Sequence, residues 1–163
     1  SRTYRYLLSD AKTRPALLHD QVTWYPRPLD IHKMKQGAAY LIGEHDFTSI
    51  RATQCQAKSP IRCIEYIHLV RRGDLIILEV RANAFLHHMV RNIVGVLQAV
   101  GSGDKPPSWV GDVLQARDRS AASVTAKPYG LYLVGVDYPA EFNIPSIPPG
   151  PLFFDEPLGG FAD

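Results

Sequence analysis

The 163-residue chain is short of most features that mark a specialised class. It has two cysteines, Cys55 and Cys63, and their spacing is not CxxC. That is too few for a disulfide framework and reads as two reduced thiols of a cytosolic protein. No apolar run approaches the roughly 20 residues of a membrane helix. Charge of one sign is lacking too. With 18 Lys+Arg against 16 Asp+Glu the net charge is +2, so bulk charge selects neither nucleic acid nor membrane. A local basic surface remains compatible with that balance. Residues that are 45% hydrophobic and 21% charged exclude disorder and collagen-like repeats. No secretory signal is expected, since a strand pattern begins at Arg2, directly after Ser1. A chain that opens inside a strand, and not on Met, leads us to expect that residues of the full product precede it. The length fits one domain or a fragment of a larger protein, and a chain this size hides about two-thirds of its unfolded surface.

The pattern of elements is mixed. Residues 2–8 alternate around Tyr4, Tyr6 and Leu8 as an aromatic-rich strand, and residues 22–25 are a second, shorter one. Asp30 is placed to N-cap a helix carrying Ile31, Met34, Ala38, Leu41 and Ile42, which Gly43 ends. Residues 44–50 read as one helical turn. Residues 62–71 and 75–80 flank Arg72-Gly73-Asp74 as an antiparallel hairpin, with Ile64, Tyr66 and His68 on one side of the first strand. Residues 85–100 predict a helix with Leu86, Val90, Ile93, Leu97 and Val100 as its apolar stripe, stopped by Gly101. Pro107 is placed at N1 of another short helix. Residues 131–138 predict a central apolar strand. From residue 144 to 163 the chain is a Pro/Gly-rich tail, extended or draped over the surface of a domain spanning residues 1–143. Without strict βαβ alternation, the fold class is α+β with a mostly antiparallel sheet and packed helices.

Several motifs invite chemistry and are better explained by structure. Arg72-Gly73-Asp74 is a hairpin corner that needs glycine at positive φ. The run 101–105 lacks the phosphate-loop spacing. His87 and His88 are adjacent and cannot share a helical face as metal ligands do in HExxH, so no metal is expected. Cys55 has no visible His–Asp constellation and reads as a small buried hydrophobe. Arg91 is different. It sits mid-helix in one of the most apolar segments, with Gly95 leaving space beneath it. Such a cation is either snorkelling at the stripe edge or paired in a pocket. Tyr4 and Tyr6 share a strand face, as core aromatics, as a stacking platform for a base, or as a hydroxyl near a reacting group.

Four segments go beyond pattern: residues 3–6; 43–49 with 51–55; 82–95, reading Ala-Asn-Ala-Phe-Leu-His-His-Met-Val-Arg-Asn-Ile-Val-Gly; and 126–133 with 136–139. In this order and spacing the chain resembles the C-terminal half of the bacterial tRNA pseudouridine synthase A family over essentially its whole length. The resemblance implies a pseudouridine synthase-like fold and a homodimeric, cytoplasmic enzyme that isomerises uridine in the tRNA anticodon stem-loop. It implies no cofactor. A catalytic Asp, a Tyr on the base and an Arg paired with the Asp carry the reaction in the family. By motif, the Tyr is Tyr4 and the Arg is Arg91, with Leu86, His87 and His88 lining the neighbourhood.

That arrangement is physically coherent. A stacked base must be flipped out, and an aromatic pocket compensates for lost stacking. A carboxylate in a largely apolar pocket tends to protonate, and a bidentate guanidinium holds it ionised. RNA contacts are expected from clustered cations, with Arg2, Arg5, Lys58, Arg62, Arg71 and Arg72 as candidates. One departure is large. The family's Asp lies in a GRTDxGVHA-like segment of the N-terminal half, and neither Asp46, Asp74 nor Asp137 has that context. The nucleophile is therefore expected in a missing N-terminal half of the same polypeptide. The tail 155–163 runs past the expected end of the family. The alternative is a non-catalytic RNA-binding or dimerisation module on the same fold.

Overall fold

The computed structural model describes residues 1–145 and 150–151. Most of the expected tail, including Pro148, Pro149, Pro157 and Gly159-Gly160, lies outside the described residues.

The aromatic alternation near the start becomes β1, Arg2–Ser9. It is followed by a short β2, Thr23–Trp24, which runs parallel to the end of β1. Helix α1, Ile31–Ala39, begins at Asp30, whose carboxylate accepts from the backbone N–H groups of His32 and Lys33. That satisfies two of the orphan donors of the first turn. The segment after Gly43 departs from the expectation of a single helical turn. Gly43–Asp46 is a strand, β3, and only Thr48–Ile50 closes into a 3-10 turn. Four residues of polar sequence carry too little alternation to declare a strand; pairing with the neighbouring strand decides it.

The hairpin forms as predicted, from β4, Ile61–Arg72, and β5, Leu75–Ala82, with Gly73 at φ +58 in the corner. Its facing pattern differs. A register shift between Ile64 and Tyr66 leaves Glu65 as an extra residue in the ladder. A bulge of this kind flips the residues beyond it, so the buried set is Ile64, Ile67 and Leu69, and not every second residue. Helix α2, Met89–Gly101, starts later than its hydrophobic period implied. His88 takes φ 58, a left-handed conformation that interrupts the helix path, so residues 85–88 enter as an irregular segment. Helix α3 is Trp109–Ala116, and Pro107 precedes its N-cap Ser108 instead of occupying N1.

The last strand, β6, is Leu131–Val136. It was expected at the centre of the sheet. Among the described residues it pairs only β1, and Leu133 and Val136 are exposed. The sheet order is β2-β1-β5-β4-β3, with β6 beside β1 as well. Apart from the β1–β2 contact, every pairing is antiparallel, so the α+β class with a mostly antiparallel sheet holds. Helices α1, α2 and α3 cover one face, where Tyr6, Leu8, Leu78, Val80, Ile93 and Leu97 join one core. The opposite face buries Leu7, Val22 and Ile77, with Arg5 and Glu79 alongside. No described helix is long and apolar enough to cross a membrane.

Candidate active site

The site grows from the junction of β1, α2 and the loop that leads to β6. Tyr4 stands on the helix-covered face of β1, half-buried at the rim of the core. The Phe85 ring meets it edge-on, with centroids 5.0 Å apart and planes at 82°. Such T-shaped pairs hold both rings in place. Phe85 belongs to the segment that delivers Leu86, His87 and His88, so Tyr4 is tied to the entrance of α2. Leu86 is buried and packs into the same core, while His87 and His88 are exposed and stacked, with ring centroids 3.9 Å apart. Desolvation, then the neighbouring His87 and Arg91, lowers the His88 pKa below its usual value.

The two tyrosines of β1 separate in role. The Tyr6 hydroxyl is enclosed, 2.7 Å from Thr23 Oγ1 and 2.7 Å from the Lys127 carbonyl. Burial pushes its phenol up to about 12, against the hydrogen bond from Thr23 and the nearby charge of Arg91. Tyr6 is a core residue. The Tyr4 hydroxyl has no hydrogen-bond partner among the described residues, so of the pair it is the one free to meet a ligand.

Arg91 lies on the first turn and a half of α2, half-buried. Its Nε donates to the Ala126 carbonyl at 2.7 Å, and its own carbonyl accepts from the Ala126 N–H at 3.2 Å. The remaining guanidinium donors have no carboxylate partner among the described residues. This resembles a paired charge that lacks its partner more than a snorkelling side chain. The space that Gly95 leaves is filled by the same loop: a Cβ there would stand 2.0 Å from the Val124 carbonyl oxygen.

Three residues that pattern reading missed complete the frame. Asn92 is buried in α2; its amide donates to the Ile50 carbonyl at 2.9 Å. Its side-chain oxygen accepts from Thr125 Oγ1 at 2.6 Å and from Arg119 at 3.2 Å. Arg119 also donates to the Ser123 carbonyl and to Thr125 Oγ1, both at 2.9 Å. Beside this clamp lies an open cleft of about 420 Å³, walled by Ala52, Thr53, Gln54, His87, His88, Arg119 and Thr125. Asn92 carried the same signal as Arg91, a polar residue inside an apolar helical run. Arg119 and Thr125 had none, because their partners are distant in sequence.

Comparison with known proteins bears on this arrangement. A profile of the tRNA pseudouridine synthase family matches residues 38–139. The chain belongs to that family. It is 55% identical over 163 residues to tRNA pseudouridine synthase A of Pseudomonas aeruginosa, covering 100% of this chain and 56% of the relative. It is 54% identical over 147 residues to the protein of that name from Nitrosococcus oceani, covering 90% of this chain and 57% of the relative. The Alcanivorax borkumensis protein is 51% identical over 158 residues, covering 97% and 59%. The chain thus spans a little over half the length of these curated relatives.

The cations considered for RNA fall into different settings on this synthase chain. Arg2 and Lys58 are exposed, and Arg62 is half-buried, donating to the Ser59 and Ile61 carbonyls. Arg5 departs from the expectation of a surface cation. It is fully buried, with Nε 2.7 Å from Glu79 Oε2 and Nη1 3.2 Å from the Gly150 carbonyl. Its charge is compensated inside the protein, and it leaves the set of candidates. Arg71 is exposed but engages both Asp10 oxygens, at 2.9 and 2.8 Å. Arg71 and the half-buried Arg72 stand at the Leu75 end of the sheet, while Arg2 pairs with Ala82 at the other. Seven residue steps along β5 put these groups about 23 Å apart. Cys55 and Cys63 are both free thiols.

Proposed function

We propose that the protein to which this chain belongs isomerises uridine to pseudouridine in the tRNA anticodon stem-loop, and that this chain supplies Tyr4 and Arg91 to the reacting site. The observation that carries the reading is Arg91: a half-buried guanidinium on α2, held by one backbone carbonyl, with donors to spare and no acidic partner among the described residues. The matching carboxylate is the family's Asp, on the part of the polypeptide that the relatives have in addition. Among the described residues β6 pairs with β1 alone and exposes Leu133 and Val136, which is compatible with the same division.

The chemistry follows from the arrangement. The uridine leaves its stack and its base packs on Tyr4, beside Phe85 and Leu86. Arg91 keeps the incoming carboxylate ionised and aimed at the ribose. The N1–C1′ bond breaks, the uracil turns over, and C5 bonds to C1′. The C5 proton leaves, and N1 ends protonated. The Tyr4 hydroxyl, having no hydrogen-bond partner among the described residues, is available beside the ring to assist the proton transfer at C5. His87 and His88 flank the base. The active protein is a homodimer in the cytoplasm, and the 163-residue chain alone, having no Asp of the required context, is inactive.

RNA binding is expected to rest on phosphate contacts from Arg2, Lys58 and Arg62, joined by cations elsewhere in the full-length protein. With about four such contacts, tRNA affinity of the full-length protein should fall about 10²-fold between about 50 and 200 mM salt. A filter-binding titration at both salts measures this. Affinity indifferent to salt contradicts a grip on the backbone.

A further inference from the structure

Arg119 poses a question that the isomerisation leaves unanswered. It lines the cleft beside His87 and His88, is half-buried, and has three acceptors, all neutral: the Ser123 carbonyl, the Asn92 side-chain oxygen and Thr125 Oγ1. A guanidinium has five N–H donors, so two remain. Among the described residues, no carboxylate lines the cleft. The nearest acid in sequence, Asp118, is turned to the Ser120 N–H and hydroxyl at 2.9 and 2.7 Å. A partly desolvated cation held only by neutral groups favours an anion. The other walls, Thr53, Gln54 and the two imidazoles, add groups that hydrogen-bond to oxygen. The cleft reaches His88, three residues before Arg91 in the chain.

We propose that this cleft seats a backbone phosphate of the RNA adjacent to the reacting uridine, with Arg119 as its cationic ligand and Thr53 at its rim. The proposal rests on the reading of the chain as part of a tRNA pseudouridine synthase, and assigns Arg119 two tasks: clamping residues 123–125 to Asn92, and gripping the strand from which the base is drawn. Fixing the phosphate next to a flipped nucleotide holds the extruded geometry open, which a purely electrostatic surface contact does not.

The test uses the full-length protein and an anticodon stem-loop RNA in which the phosphates around the target uridine are replaced one at a time by uncharged methylphosphonate. Wild-type protein should lose about tenfold in affinity at one position. Arg119→Gln should bind the unmodified RNA about tenfold more weakly and lose nothing further at that position. Because Arg119→Gln also disturbs the clamp, Thr53→Glu provides an independent arm. Thr53 is exposed, so a carboxylate there leaves the fold intact, verified by an unchanged melting temperature, and repels a phosphate. Its loss, again about tenfold, should vanish with the same methylphosphonate RNA. If Thr53→Glu binds as wild type, or if each methylphosphonate costs wild type and variants alike, the phosphate seat is overturned and Arg119 is a clamp only. A full-length protein that binds and converts the RNA in that second case leaves the enzyme reading standing. One that neither binds nor converts it overturns both.

Discussion

Replacing Arg91 by lysine in the full-length protein is expected to lower kcat for pseudouridine formation by about 10²–10³-fold, while the Kd for tRNA changes less than about threefold. Lysine keeps the charge but not the fork. In the folded chain, the Arg91 Nε is already committed to the Ala126 carbonyl, and the two terminal nitrogens remain for a bidentate partner. A lysine ammonium must choose between the carbonyl and the carboxylate. The cost therefore falls on the reacting geometry and not on tRNA capture. Single-turnover rates alongside binding isotherms separate the two. A variant that loses affinity and keeps its single-turnover rate would move Arg91 from the reacting site to the RNA surface.

Gly95→Ala should be strongly destabilising. The new Cβ would stand 2.0 Å from the Val124 carbonyl oxygen and 3.2 Å from its carbon. Neither is the end of a flexible side chain. The loop cannot simply lift, because Arg119 holds Ser123 and Thr125, Arg91 holds Ala126, and Tyr6 holds Lys127. Overpacking of this kind costs about 3 kcal/mol. For a protein of this size class that lowers the melting temperature by roughly 6–12 °C. Because the displaced loop carries the Ala126 carbonyl that fixes Arg91, kcat should fall as well, even at temperatures where the protein stays folded. A melting curve superimposable on wild type would mean that the loop does not lie against α2.

The sequence showed its elements best where the local signal and the tertiary context agree. The β4–β5 hairpin has a glycine corner between two β-rich runs, and Asp30 has both the side chain and the position of an N-cap. Both form as their residues imply. The signal fails where one residue overrides a period. Glu65 inserts into the ladder and reverses which neighbours face the core; His88 turns left-handed and delays α2, although Leu86 and Val90 fit the helical stripe. Hydropathy alone implied two strand neighbours for β6, and among the described residues it has one, β1. An apolar strand reads as central whether its second partner is present in the chain or supplied by another segment, and Leu133 is exposed here.

Charge was the least legible quantity. Arg2 and Arg5 look alike in sequence, yet one is exposed and the other sits against Glu79 on a strand 74 residues away. Nothing local reports a partner at that separation. Arg91 stood out because its surroundings are apolar, and the same contrast marks Asn92. Arg119 sits among polar residues, so only the folded chain shows that its three acceptors are neutral.

The most direct test of the account measures tritium release from tRNA uridine labelled at C5, since bonding C5 to C1′ expels that hydrogen. The full-length protein should release it, with no metal or nucleotide added and in the presence of EDTA, and the 163-residue chain should release none. The chain has Tyr4 and Arg91, but a phenol hydroxyl is a weak nucleophile beside a carboxylate and a guanidinium is none. Tritium release by the chain alone would contradict the division of the site proposed here, because a nucleophile would then have to lie among these residues. Absence of release from the full-length protein would contradict the reaction itself.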